Sequence, residues 1–160
     1  MPAIQKITPC LWFDSNAEEA ANHYISIFRT GRILDIARYG DAGPGPKGSI
    51  LTLRFEIADQ QFIALNGGPI FKFTEAVSLS INCTTQDEVD ELWEKLSTGG
   101  SKGQCGWVKD KFGLSWQIVP SRLPQLLMDP DPEKSNRVMA ALMKMTKLDI
   151  GLLEKAYDGS

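Results

Sequence analysis

One succession of elements occurs twice in this chain, and it limits the possible folds more than any single motif. Ile7 to Phe13 reads as a strand. Ser15-x-x-Glu18 follows as a capping box, and Ala17, Ala20, Ala21, Tyr24 and Phe28 repeat at helical spacing. Gly31 marks the helix stop, and Ile33 to Tyr39 gives a second strand. Gly40 to Gly48 holds four glycines and two prolines, so it reads as a loop able to move. From Ser49 to Ile57, Leu51, Leu53, Phe55 and Ile57 alternate with polar residues, the pattern of a half-buried strand. Asp59-Gln60 turns the chain into Phe62 to Asn66, and Gly67-Gly68-Pro69 ends that strand. The order is β-α-β-β-β.

It then begins again. Val77 to Cys83 is a strand, and Thr85-x-x-Glu88 is a second capping box. Val89, Leu92, Trp93 and Leu96 form a stripe at helical spacing, ended by Gly99-Gly100. One strand, around Ser101 to Gln104, is expected to be short or missing. Two more, at Trp107 and at Trp116-Gln117-Ile118-Val119, flank a turn built on Asp110, Phe112 and Gly113, and Pro120 stops the second. Lys109, Asp110 and Lys111 read as a solvated turn. Beyond Pro120, Val138, Met139, Leu142, Met143 and Met145 are helically spaced, and Ile150, Leu153 and Tyr157 form a last short helix. The chain is thus expected to be α+β: a βαβββ unit over 1–70, a shortened second unit over 75–120 and a helical tail over 121–160, all in one domain of 160 residues.

Composition narrows the function classes. The formal charge of −3 gives no basic face for a nucleic-acid partner. No apolar run approaches the roughly 20 residues of a membrane span, and MPAIQKITP lacks the long apolar core of a signal peptide. The cysteines, Cys10, Cys83 and Cys105, are odd in number and form no CxxC pair, which fits a reduced, cytoplasmic setting. S-adenosylmethionine is not an expected cofactor. A methyltransferase site of the usual kind needs a glycine-rich turn between a parallel strand and a helix. Gly43-x-Gly45 is interrupted by prolines, and Gly67-Gly68-Pro69 precedes aromatic residues.

The chain resembles the PhnB-like branch of the glyoxalase, or vicinal oxygen chelate, superfamily, often labelled 3-demethylubiquinone-9 3-methyltransferase. The residues carrying the likeness include Ile7-Thr8-Pro9, Leu11-Trp12-Phe13, Asn16 to Ala20, Asn66-Gly67-Gly68-Pro69, Phe71-Lys72-Phe73 and Ser78-Leu79-Ser80. Further on they are Cys105-Gly106-Trp107, Lys109-Asp110, Phe112-Gly113, Ser115 to Pro120 and Arg137-Val138-Met139. The resemblance implies that each unit curls into a half-open mixed sheet and that the pair encloses a pocket. It implies a divalent metal held by His and Glu from the first and last strands of each unit. The corresponding positions here are Thr8, Ala64, Ala76 and Gln117, none of which is His or Glu. The sole histidine, His23, lies on the first helix. No metal at the usual tetrad, and no cofactor, is therefore expected.

The expected partner is a small molecule, aromatic or oxygen-bearing. Its expected contacts are Thr8, Trp12, Asn66, Phe73, Ser80, Trp107 and Gln117, strand or strand-end positions that converge if both units curl around one space. Two readings stay open: an enzyme acting on that molecule, and a protein that only binds and sequesters it. Gln117 has its own alternative as a buried amide satisfied by a neighbouring strand, and the tryptophans as core. A homodimer is expected, with the apolar stripe of the tail at its interface or, alternatively, folded back over its own subunit.

Overall fold

The computed structural model describes residues 4–160. Met1, Pro2 and Ala3, the start of the segment MPAIQKITP, lie outside the described residues. The chain divides into two compact units between Lys72 and Phe73.

The first unit holds β1 (Cys10–Phe13), α1 (Ala17–Phe28), β2 (Arg32–Arg38), β3 (Ile50–Ile57) and β4 (Gln60–Asn66). Its sheet runs in the order β1-β4-β3-β2, with β1 parallel to β4 and the other pairs antiparallel. Strand alternation sorts the side chains. Leu11, Phe13, Leu53, Phe55, Ile57, Phe62 and Ala64 are buried on the face that carries α1. The helix answers with Ala17, Ala20, Ala21, Tyr24 and Ile27, so small residues let it lie close to the sheet. Tyr24, Phe55 and Phe62 stack in sequence, with ring centroids 6.2 and 5.3 Å apart. Each such buried side chain contributes on the order of 1.5–3 kcal/mol. The hairpin between β3 and β4 turns on two residues, Ala58 (φ 47°) and Asp59 (φ 61°), the paired positive values of a twist-matching tight turn.

The second unit repeats the plan. β5 (Ser78–Cys83), α2 (Gln86–Ser97), β6 (Ser101–Lys102), β7 (Trp107–Lys109) and β8 (Ser115–Pro120) form a sheet in the order β5-β8-β7-β6, again with its outer pair β5/β8 parallel. The strand expected to be short or missing is present as the two residues of β6, paired with β7. Cys83, Val108, Trp116 and Ile118 are buried, as are Val89, Leu92, Trp93 and Leu96 of α2, which packs on β8 and β7.

The α+β glyoxalase-like arrangement expected from the repeated order is the one observed. Several local expectations are corrected. No side-chain cap bond forms at the start of α1; the N-cap is Asn16, and the Ala17 amide donates to Asn66 Oδ1 of β4 at 2.9 Å. α1 ends at Arg29, in the left-handed region (φ 58°). Gly31 has a different duty: a Cβ there would lie 1.9 Å from the Glu56 carbonyl oxygen of β3. Gly100 holds the equivalent place in the second unit, where a Cβ would lie 2.0 Å from the Lys109 carbonyl oxygen. Both glycines exist for close backbone approach where a helix returns to the sheet. Asp110 is not solvated. It is 2% exposed and fastens the β7–β8 turn, its Oδ1 accepting from the Phe112 and Leu114 amides and its Oδ2 from Trp116 Nε1.

After β8 come α3 (Leu123–Leu127), α4 (Pro132–Leu142) and α5 (Ile150–Asp158). Their apolar stripe belongs to the second unit. Leu123, Leu126, Val138, Leu142, Leu148 and Leu153 form a buried cluster flanked by Cys105 and Val119. Of the two alternatives for the tail, Val138, Leu142 and Leu153 follow the fold back over their own subunit: they are 0%, 9% and 1% exposed in a single chain. Backbone bonds tie the segment down, from the Cys105 amide to the Met145 carbonyl and from the Gly106 amide to the Thr146 carbonyl. Gln86 of α2 clasps it by donating to the Leu148 carbonyl and accepting from the Ile150 amide.

Candidate functional site

In each unit the helix covers one face of its own sheet and leaves the other clear of that helix. Register decides which residues stand on the uncovered side. In the second unit Ser80 pairs with Gln117, and Gln117 pairs with Trp107, so these side chains form one row across β5, β8 and β7. Ser78, Ser115 and Lys109 form the neighbouring row. Three of the expected ligand contacts, Ser80, Trp107 and Gln117, are thus brought together. Ser80 is exposed, while Trp107 and Gln117 are half-buried. Gln117 Nε2 donates to Ser78 Oγ at 2.9 Å. That bond fixes the amide and presents its oxygen as an acceptor. A cleft of about 160 Å³ opens beside Trp107 and Lys109, floored by buried Ser115. Lys109 Nζ pairs with Glu75, and the hydrogen bond holds the Glu75 carboxyl below its ordinary range. Phe73, also expected at the ligand, lies half-buried in the segment that leads to β5 and on no strand.

In the first unit the uncovered face carries Cys10 and Trp12 of β1, Ile63 and Leu65 of β4, and Thr52 and Arg54 of β3. Trp12 is half-buried. Gly67 lies directly on it, since a Cβ there would fall 2.3 Å from the indole, and Trp12 Nε1 donates to the Gly68 carbonyl at 2.9 Å. Phe71 meets the same ring edge-on, at 4.9 Å between centroids. Gly67, Gly68 and Phe71 therefore form a cover over Trp12. Thr8 precedes β1, half-buried, with its hydroxyl donating to the Gln5 carbonyl. Asn66 stands apart from Trp12. It pairs with Phe13 on the helix side, caps Ala17, donates to the Ile50 carbonyl and accepts at its own carbonyl from the Tyr39 hydroxyl. Its amide is used by the fold.

The residues do not fit the metal tetrad of glyoxalase-like proteins. Ala64 faces α1 and is fully buried, and Ala76 lies in the turn before β5. The positions of the parallel pairs β1/β4 and β5/β8 that point away from the helix are Cys10, Trp12, Ile63 and Leu65 in one unit and Ser78, Ser80, Asn82, Ser115, Gln117 and Val119 in the other. None is a histidine or a carboxylate, the ligands hard and borderline divalent metals require. Among the described residues no group of three or more His, Cys, Asp or Glu is placed to hold a metal ion. Two of the three thiols, Cys10 and Cys83, are weak nucleophiles as well. Burial pushes the Cys10 thiol up, and burial with the charge of Glu88 pushes Cys83 up to about 12.

Sequence reasoning placed Asp110 in the turn but misjudged its burial, which the flanking lysines disguise, and it missed the row partner Ser78. The alternation of β5 was the available signal for Ser78.

Comparison with known proteins agrees with this architecture. The family model described as 3-demethylubiquinone-9 3-methyltransferase matches residues 5–119. A PhnB protein from Bacillus cereus is 36% identical, covers 72% of this chain and 99% of its own, and superposes with a TM-score of 0.66. Protein PA1353 from Pseudomonas aeruginosa is 23% identical over 72% of this chain and 96% of its own, with a TM-score of 0.60. A fosfomycin resistance protein, FosX from Listeria monocytogenes, solved with Mn(II) and sulfate, shares the fold at 14% identity, 78% and 98% coverage and a TM-score of 0.52. Among curated proteins none matches the chain. The repeated βαβββ topology, the family match over residues 5–119 and the 36% identical PhnB relative place this chain in the 3-demethylubiquinone-9 3-methyltransferase family, the PhnB-like branch of the glyoxalase fold.

Proposed function

We propose that this protein binds a small aromatic or oxygen-bearing molecule on the uncovered sheet faces and acts on it without the usual metal tetrad. The observation carrying this reading is the row Ser80–Gln117–Trp107: a hydroxyl, a fixed amide oxygen and an indole side by side, the indole lining a cleft. Few polar groups set against an aromatic wall are the usual makeup of a ligand site. Thr8, Trp12, Asn66 and Phe73 complete the proposed contact set, with Asn66 acting through the wall it holds. A screen by thermal shift tests the proposal, since a ligand of the folded state raises the melting temperature. Gln117→Leu, Trp107→Ala and Ser80→Val are each expected to weaken whatever ligand the screen returns. Unchanged affinity in all three would place the ligand elsewhere.

Sequestration without chemistry is the second reading. It is favoured by the row itself, which holds no group that titrates near neutral pH, and by the raised thiols. Recovery of the ligand unchanged after prolonged incubation with the protein would decide for it.

Methyl transfer from S-adenosylmethionine is not part of the proposal, despite the family's name. The connections from β1 to α1 (Asp14-Ser15-Asn16) and from β5 to α2 (Thr84-Thr85) contain no glycine. Calorimetry with the cofactor is expected to show no binding.

We also propose a homodimer in a reducing compartment. Met139, Met143 and Leu152 remain exposed on the tail and offer apolar area to a partner copy. All three cysteines are free, and no helix among the described residues is long and apolar enough to cross a membrane. A monomeric mass by light scattering at tens of micromolar would remove the dimer.

A further inference from the structure

A cavity of the first unit has none of Ser80, Gln117 and Trp107 in its lining. It encloses about 500 Å³ between the start of α1, the Gly40–Gly48 loop and the end of β4. That volume falls within the roughly 300–1,000 Å³ of ordinary small-molecule sites. Its walls are held in place. Tyr39 is bonded through its hydroxyl to the Asn66 carbonyl, and Gly45 sits so close to the ring that a Cβ would lie 2.3 Å from it. The loop is closed on itself by the Tyr39 and Gly48 amides, which pair with Ser49 and Tyr39 carbonyls at 2.8 Å. The Gly68 amide donates to the Asp14 carbonyl, fixing the opposite wall.

The charge of the lining has one sign. Asp14 and Glu18 contribute carboxylates, and no lysine, arginine or histidine lines the cavity. Neither carboxylate forms an ion pair among the described residues, while the loop's own Lys47 is paired with Asp41 at 2.8 Å. The start of α1 adds about half a positive charge, which two carboxylates outweigh. Pro44, Pro46, Ile50 and the Tyr39 ring supply apolar surface. Two carboxylates with no third acidic, His or Cys ligand make a poor cage for a bare metal ion. They suit an ammonium group whose organic body lies on the prolines and the ring, where a tyrosine ring also favours a cation.

We infer that this cavity is a second binding site, for a small organic ammonium compound, formed by Asp14, Glu18, Tyr39 and the Gly40–Gly48 loop. Three molecules with one ring system and different charge test it on the full chain: tryptamine, neutral tryptophol and anionic indoleacetate. Binding is followed by amide chemical shifts in NMR. Tryptamine is expected to move the amides of Tyr39, Gly45 and Gly67 at concentrations where indoleacetate moves none. The double variant Asp14→Asn/Glu18→Gln keeps every backbone bond described. It is expected to bind tryptamine roughly five- to tenfold more weakly, the effect of losing two partly exposed charge contacts. Tryptophol binding should be the same in both proteins, which also shows that the variant is folded. Equal affinity for tryptamine and tryptophol, or unchanged tryptamine affinity in a folded double variant, would overturn the inference. Calcium moving the same amides at lower concentration than tryptamine would overturn it too, by assigning the cavity to a metal.

Discussion

The two units share one topology and reach it by different local means. In the first, three of the four strands have seven or eight residues, and the helix borrows its cap from Asn66, nearly 50 positions along the chain (Ala17 to Asn66, a separation of 49). In the second, two of the strands have two and three residues, and the helix caps itself through Thr85 and Glu88. What the short strands lack, a buried carboxylate and a clasped helical tail replace. A repeated fold conserves the path of the backbone and leaves each copy free to find its own polar fastenings.

That contrast makes Asp110→Ala the most damaging change. It strands the Phe112, Leu114 and Trp116 donors in a buried turn, and the cost should be about 3–5 kcal/mol at neutral pH, read by urea unfolding. A loss below about 1 kcal/mol would mean that the tail, and not the turn, secures the second sheet. Next come the matched glycines. Gly31→Ala and Gly100→Ala each drive a Cβ into a backbone carbonyl and should cost roughly 2–3 kcal/mol. Similar losses would sharpen the equivalence of the two junctions, and a neutral substitution at either would break it. The caps follow. Asn66→Ala should cost about 1–2 kcal/mol and Thr85→Ala about 1 kcal/mol, because Asn66 also holds Ile50 and Tyr39. Gln86→Ala should speed hydrogen exchange across residues 145–150 without altering that of the first unit.

The smallest effect concerns acid and base. Tyr157 donates to Asp129 at 2.7 Å, and that bond lowers the Asp129 carboxyl and raises the Tyr157 phenol. A depressed carboxyl stabilises above its unfolded value and loses that contribution as pH falls through its folded one. A raised phenol stabilises below its unfolded value and loses it as pH rises through its folded one. Tyr157→Phe should flatten both edges of the stability profile slightly, in the acid and alkaline ranges. An unchanged profile would show that this half-buried bond contributes nothing.

Much of the fold was legible because periodicity is local. Helical spacing in Ala17 to Phe28 and alternation in Leu51 to Ile57 each report a buried face within a few residues. The two-residue β6 was nearly invisible, since so short a strand has no period to read. The burial of Asp110 was misread, and the bonds Asn66 makes within the fold went unseen, because their partners are set by tertiary approach; an aspartate between lysines looks like surface. Of the candidate site, Ser80, Trp107 and Gln117 were recoverable from strand phase. The helix-side placement of Asn66 and the turn position of Ala76 depended on a register that only pairing reveals.

The clasp on Gln86 also sets a timetable. By the time Lys72 has been synthesised, every partner named for Asn66, Tyr39 and Gly31 already exists in the nascent chain. The second unit is different: when Pro120 emerges all its strands are present, yet the Cys105 and Gly106 amides still await Met145 and Thr146, and Gln86 awaits Leu148 and Ile150. For some thirty residues of translation, then, a ribosome carries one unit supplied with all its fastenings and a second that still presents open backbone groups.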